Sequence, residues 1–311
     1  MRSSLPKLVA EYLDMRRNLG FKAEREKWLL SRFVSFLRAE RSAYITTKHA
    51  LAWAKQPRDA HPSWWASKLS VVRVFAKHLH VVDPRHEVPP LDLLPRLAVR
   101  TTPSIYTPDE IARLLRAARN MQSRLPRGLP FRRATYETLF GLLAATGMRV
   151  GEAIRLDCSD VDWSNQLVVI RESKFGKSRE VLLHDTVIRV LRRYAKERDR
   201  VHPRARSPSF FVSLVGTRLI YNNVHGTFAR LLHDARIPRA KARIHDLRHT
   251  FVVRTILRWH RDRVDVEARM PALSTYLGHR DPSSTYWYLS ATPELMALVG
   301  RKIQCALGAL P

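Results

Sequence analysis

Ile244-His245-Asp246-Leu247-Arg248-His249-Thr250, continued through Gly278-His279 to Tyr288, is the stretch from which the rest of the chain is best read. His245 and Arg248 stand three apart, so on a helix both side chains lie on one face and can meet one ligand. A guanidinium suits a phosphate because its planar fork donates two parallel charge-assisted hydrogen bonds. A tyrosine near such groups can act as a nucleophile, but its ordinary pKa of about 10 means that it needs help to lose its proton. His245 and His249 are four apart, which also suits two metal ligands on a helix. No glutamate lies between them and no third ligand is evident, so the spacing favours a core or capping role for His249.

Two earlier fragments face the same chemistry. In Ala145-Thr146-Gly147-Met148-Arg149-Val150-Gly151-Glu152 an arginine follows a glycine turn and precedes an amphipathic helix. That position is near a helix N-terminus, where backbone amides favour an anion. Short Val, Ile and Leu runs over Gln166 to Arg171 and Arg179 to Leu183 flank Ser173-Lys174-Phe175-Gly176-Lys177-Ser178, a hairpin signal that puts Lys174 and Lys177 at the tip.

Taken in order, Arg149, Lys174, His245-Asp246-Leu247-Arg248, Gly278-His279 and Tyr288 resemble the tyrosine recombinase (phage integrase) family. Each fragment is weak alone, but the five in sequence across the last two thirds of the chain form a specific pattern. The resemblance implies a site-specific recombinase that cleaves and rejoins DNA strands through a 3′-phosphotyrosyl bond, without metal, ATP or any other cofactor. It gives Tyr288 the role of nucleophile, with Tyr286 the alternative two residues early, and Tyr276 a packing role. Arg149 and Arg248 would cradle the phosphate, with Glu152 orienting Arg149, and His279 would donate to a non-bridging oxygen. His245 would accept the phenol proton or steady the phosphate, and Lys174 would protonate the leaving 5′ oxygen, with Lys177 as the alternative. The implied fold is mainly α with a small antiparallel β-sheet: a helical, SAM-like DNA-clamp domain followed by a mixed α+β catalytic domain. The implied partners are double-stranded DNA at two recombination sites and three further copies in a homotetramer, with accessory factors and no membrane.

Composition agrees with a nucleic-acid partner. The chain has 311 residues, enough for two domains, and 45% of them are hydrophobic. It carries 55 Lys and Arg against 28 Asp and Glu, a net +27 that attracts polyanions by displacing counterions from phosphates. A basic ribosome- or membrane-associated protein is the alternative on charge alone. Cys158 and Cys305 make neither a disulfide framework nor a metal-ligand spacing, so a reducing, cytoplasmic setting is expected and both read as packing residues. No signal-peptide core is seen, and no run approaches the ~18 apolar residues of a membrane span.

Along the chain, residues 1–83 read as a helical domain, with stripes Leu5, Leu8, Val9, Tyr12, Leu13 and Trp28, Leu29, Phe33, Phe36, Leu37, then helices near Thr47 to Lys55 and Pro62 to His80. Basic residues fill the other faces, consistent with a clamp lying on DNA. Prolines at 84, 89, 90, 95 and 103 predict an extended linker over 84–104. Thr107-Pro108-Asp109-Glu110 is a capping box that opens a catalytic domain over 105–311. Arg189 to Arg206 is basic enough to track a phosphate backbone, and a helix is expected near Asn222 to Arg236. The tail 291–311 has helical apolar spacing; it folds back on its own domain or, as the resemblance implies, docks into a neighbouring protomer. The simpler two-domain form of the family is expected. The rival functions are a type IB topoisomerase, which shares the nucleophile chemistry, and a DNA-binding regulator without catalysis.

Overall fold

The computed structural model describes residues 4–94, 103–122, 128–171, 178–204, 206–238, 242–279 and 281–291. Lys174, Lys177, Cys305, residues 95–102 of the proline-rich stretch and the tail beyond Ala291 lie outside the described residues. The chain divides into two compact units, Met1–Thr101 and Thr102–Pro311.

The first unit holds α1 (Leu5–Asn18), α2 (Glu24–Ala39), α3 (Thr47–Ala54) and α4 (Pro62–Val82). A proline in the first turn and Arg16 and Arg17 in the last suit α1, since the missing N–H is no loss there and the cations meet the negative helix end. The core is the apolar stripe of each helix, with Leu29, Leu30, Phe33, Leu37, Val72 and Phe75 at its centre. Trp28, expected on the inward stripe, is 50% exposed and has the Arg32 guanidinium 4.7 Å from its ring centroid. The prolines after α4 do not make a free spacer up to Leu94. Arg73 donates to the carbonyls of Pro89 and Pro90 at 2.7 and 2.8 Å, and Leu94 is buried in this core. Proline removes donors but leaves its carbonyl to accept.

The second unit holds α5 (Pro108–Arg119), α6 (Leu129–Thr146), α7 (Val150–Arg155), β1 (Val161–Asp162), β2 (Leu167–Ile170), β3 (Arg179–Leu182), α8 (Asp185–Val201), α9 (Tyr221–Asp234), α10 (Asp246–Arg261), α11 (Val266–Leu277) and α12 (Ser283–Ala291). The capping box at Thr107 is formed in both directions, 3.1 Å from Glu110 N to Thr107 Oγ1 and 2.8 Å from Thr107 N to the Glu110 carboxylate. The strands form an antiparallel sheet in the order β1-β2-β3, with Val168 opposite Val181 and Ile170 opposite Arg179. Thus the fold is mainly α with a small antiparallel sheet.

Its main core surrounds α6, through Leu139, Phe140, Leu142 and Leu143, and takes in α5, the sheet, α8 and α9. A smaller core joins α10 to α12 through Val252, Val253, Ile256, Met270, Leu273, Leu277 and Tyr288. The basic helix α8 exposes Arg189, Arg192, Arg193, Lys196 and Arg200. Arg198 does not belong to that face: it is buried, donating to Asp199 at 2.7 Å, to the Phe210 carbonyl at 3.3 Å and to Cys158 Sγ at 3.0 Å. Cys158, read as a packing residue, is exposed. Among the described residues no helix is long and apolar enough to cross a membrane.

Candidate active site

Two left-handed glycines bring the site's backbones together. Gly147 ends α6 at φ +62° and Gly278 ends α11 at φ +67°, a conformation that glycine adopts without strain. Arg149 follows the first turn as the N-cap of α7, and His279 follows the second. Arg248 lies in the first turn of α10 and ties both turns to it, donating to Gly147 O and Leu277 O at 2.8 Å each. Arg149 crosses the same gap, donating to Gly278 O at 3.2 Å. The carbonyls left over at the two helix ends are thereby satisfied by the guanidinia.

Beneath Arg149 lies a buried carboxylate. Glu152 accepts from the backbone N–H and side chain of Arg149, both at 2.8 Å, and from Arg179 of β3 at 3.1 and 2.8 Å. Burial opposes its ionisation, but Arg179 and Arg149 outweigh burial and hold its pKa at about 2. Arg179 also donates to Tyr276 O at 2.8 Å, so one guanidinium joins β3, α7 and the end of α11. For Arg248, burial and then the Arg149 charge lower the pKa to about 10, which leaves it cationic at neutral pH.

His245 precedes α10 and is exposed, although its recess is crowded with protein. Partial loss of water there, followed by the Arg248 charge, holds its pKa below the ordinary imidazole value. The His279 ring is oriented by a 2.6 Å contact from Nδ1 to Thr285 Oγ1, and Thr285 is wholly buried in the first turns of α12. Tyr288, further along α12, is 1% exposed, and its hydroxyl lies 2.6 Å from Nδ1 of His249.

Arg149, His245, Arg248, His279 and Tyr288 therefore converge from α7, the start of α10, the end of α11 and α12, with Arg149 and Tyr288 both acting electrostatically on Arg248. Tyr286 is 38% exposed. Tyr276 stacks on Phe251 at 5.8 Å, and burial raises its pKa to about 12. Lys174 has no described position. Three residues at this site were not singled out for it in the sequence: His249, Arg179 and Thr285. An arginine in a short strand reads as a solvent-facing residue, and a histidine one turn after another reads as packing. Among the described residues no group of three or more His, Cys, Asp or Glu side chains is placed to hold a metal ion.

Chemically, the arrangement offers fixed cations around an open histidine, with a phenol held against an imidazole, as a reaction that builds charge on an oxyanion requires. Residues 105–294 match the phage integrase family model. The protein y4rB of Sinorhizobium fredii, named as an integrase/recombinase, is 43% identical over 97% of this chain and 98% of its own length. Tyrosine recombinase XerD of Caulobacter vibrioides is 28% identical over 77% of this chain and 74% of its own length. Among solved structures, the Tn1549 transposon integrase in complex with transposon right end DNA superposes with a TM-score of 0.65 over 99% of this chain and all of that one, at 16% identity.

Proposed function

The chain belongs to the phage integrase family and is a site-specific tyrosine recombinase, and we propose that it cuts and rejoins DNA by forming a 3′-phosphotyrosyl bond through Tyr288. The observation that carries this assignment is the buried Tyr288 hydroxyl, held 2.6 Å from His249 on the same helix that carries Arg248. Attack on a phosphodiester builds negative charge on the non-bridging oxygens, and cations already fixed in place lower that barrier most. Arg149 and Arg248 are fixed in this way: the carbonyls of Gly147, Leu277 and Gly278 and the Glu152 carboxylate set their orientation. Two of the five N–H groups of Arg248 go to carbonyls, and the remainder of the fork serves the phosphate. His279, oriented by Thr285, adds a hydrogen bond, and the exposed His245 steadies the phosphate.

The leaving 5′ oxygen takes its proton from Lys174, a role that rests on the family resemblance. Because the phosphotyrosyl bond conserves the ester, rejoining to another strand needs neither ATP nor metal. The first unit and the exposed face of α8 add phosphate contacts that position the protein without reading bases. Two DNA sites held by four copies, joined through the tail 291–311 and helped by accessory factors, complete the reading, which sets the enzyme in the cytoplasm.

Covalent trapping tests it. Wild type, Tyr286→Phe and Tyr288→Phe are incubated with a library of nicked duplexes, including DNA flanking the gene, in chelator and without nucleotide. An adduct that survives denaturation is expected from wild type and Tyr286→Phe and not from Tyr288→Phe. The same adduct from Tyr288→Phe, or an absolute need for metal, would sink the proposal.

A further inference from the structure

Resting on the assignment of Tyr288 as nucleophile, we infer that His249 is the base that takes its proton, with the buried carboxylate of Asp246 behind it. The three groups lie in the order tyrosine, histidine, aspartate across α12 and the first turns of α10, the first two in hydrogen-bond contact and the third within electrostatic reach. His249 Nδ1 lies 2.6 Å from Tyr288 Oη, and the two residues are 6% and 1% exposed. Bulk water is thus kept from the phenol, and its proton must leave through a group in contact with it. For the phenol to give up its proton here, Nδ1 is the acceptor and Nε2 carries the ring hydrogen. Nε2 stands 4.0 Å from Asp246 Oδ1, and Asp246 is wholly buried. Its negative charge favours the imidazolium that forms on proton transfer, the part played by the third group in other nucleophile and base pairs.

The surroundings of His249 fit this role. Asp246 is shared with Arg243 at 3.0 Å, which tempers its charge without removing it. The His245 ring stands edge-on to His249 at 4.8 Å; the residue is exposed, and the charges of Arg248, Asp246, Arg149 and Arg243 act on it. From α12 the neighbours are Trp287 and Tyr288, with ring centroids at 6.1 and 5.4 Å. His245 therefore serves the phosphate and His249 the phenol.

The step balances as follows. The phenol proton passes to His249 Nδ1 while the bond from Oη to phosphorus forms. The bond from phosphorus to the 5′ oxygen breaks, and that oxygen takes a proton from the separate acid proposed at Lys174. In rejoining, the 5′ hydroxyl gives its proton back to Lys174 as its oxygen bonds to phosphorus, the bond from phosphorus to Oη breaks, and His249 returns its proton to the leaving phenolate.

Full-length wild type, His249→Asn and Lys174→Ala are compared on two DNAs: the substrate trapped by wild type, and the same duplex with sulfur replacing the bridging 5′ oxygen at the cut. Asparagine keeps an acceptor oxygen near the place of Nδ1 but takes no proton, and a thiolate leaves without needing one. His249→Asn is expected to form the adduct about 100-fold more slowly on both DNAs. Lys174→Ala is expected to be slow on ordinary DNA and restored by sulfur. Rates within about threefold of wild type for His249→Asn, far below the effect of losing a general base, overturn the inference. So does a defect that disappears on the sulfur substrate, which would place His249 on the leaving group. Circular dichroism checks folding, and His249→Gln replaces the asparagine variant under the same criteria if needed. No adduct from wild type on any DNA removes the nucleophile assignment and this inference with it; adduct formation unchanged by His249→Asn removes only the inference.

Discussion

Glu152 holds two guanidinia on one buried carboxylate, and its loss leaves Arg179, with a side chain only 9% exposed, without its counter-charge. Glu152→Ala is expected to destabilise the second unit by about 3 to 5 kcal/mol, read by urea denaturation. The pH dependence has a defined sign. With a folded pKa of about 2, this carboxyl binds fewer protons in the native state than in the unfolded chain, where the value is about 4.3. Its stabilising share is complete above that unfolded value and is lost as pH falls toward the folded one. Wild type should therefore lose stability across that window more steeply than Glu152→Gln. At this scale the sequence offered Arg149, His245, Arg248, His279 and Tyr288 as candidates through their shared order, which resembles the phage integrase family, each being weak alone. His249 could not be read as the partner of Tyr288, since 39 residues separate two atoms that lie 2.6 Å apart.

The helix ends do the positioning. A Cβ on Gly278 would meet Arg179 Nη1 at 2.7 Å, and one on Gly147 would meet the Phe251 ring at 2.5 Å, each on a backbone with positive φ. Gly278→Ala and Gly147→Ala are each expected to lower stability by about 1 to 3 kcal/mol in urea denaturation, through backbone strain and overpacking together. Gly278→Ala should also slow adduct formation, because it displaces the arginine that holds Glu152 and the carbonyl that holds Arg149. The capping box at Thr107 makes a simpler case: Thr107→Ala should cost about 0.5 to 2 kcal/mol with little change in trapping rate. Capping residues and glycine turns are local signals, so the boundaries at Thr107 and Gly147 were legible in the sequence. The buried Arg198 was not, because a helical charge pattern records spacing and leaves open which of its residues meets a neighbouring carbonyl.

Over the whole molecule the excess of 27 positive charges sets the expected response to salt. Six to ten phosphate contacts would weaken DNA binding by about 10³ to 10⁵ between 50 and 200 mM salt, with a slope near −0.9 per phosphate. A gel-shift titration checks this, and Arg149→Ala should make the slope shallower by about one unit. The two units have separate cores, and each core follows from apolar stripes already visible in the chain. The features legible along the chain are therefore local or additive: helix periods, caps, glycine turns, the net charge, and the ordered set of side chains that marks the family. Packing of distant segments sets which carbonyls fix each arginine, makes Arg179 share Glu152 with Arg149, and brings His249 to Tyr288 while His245 opens to solvent. The physical reason is that hydrogen bonds and desolvation act over a few ångströms between segments distant in the chain, and those distances come into being only when α7, β3, α10, α11 and α12 pack together.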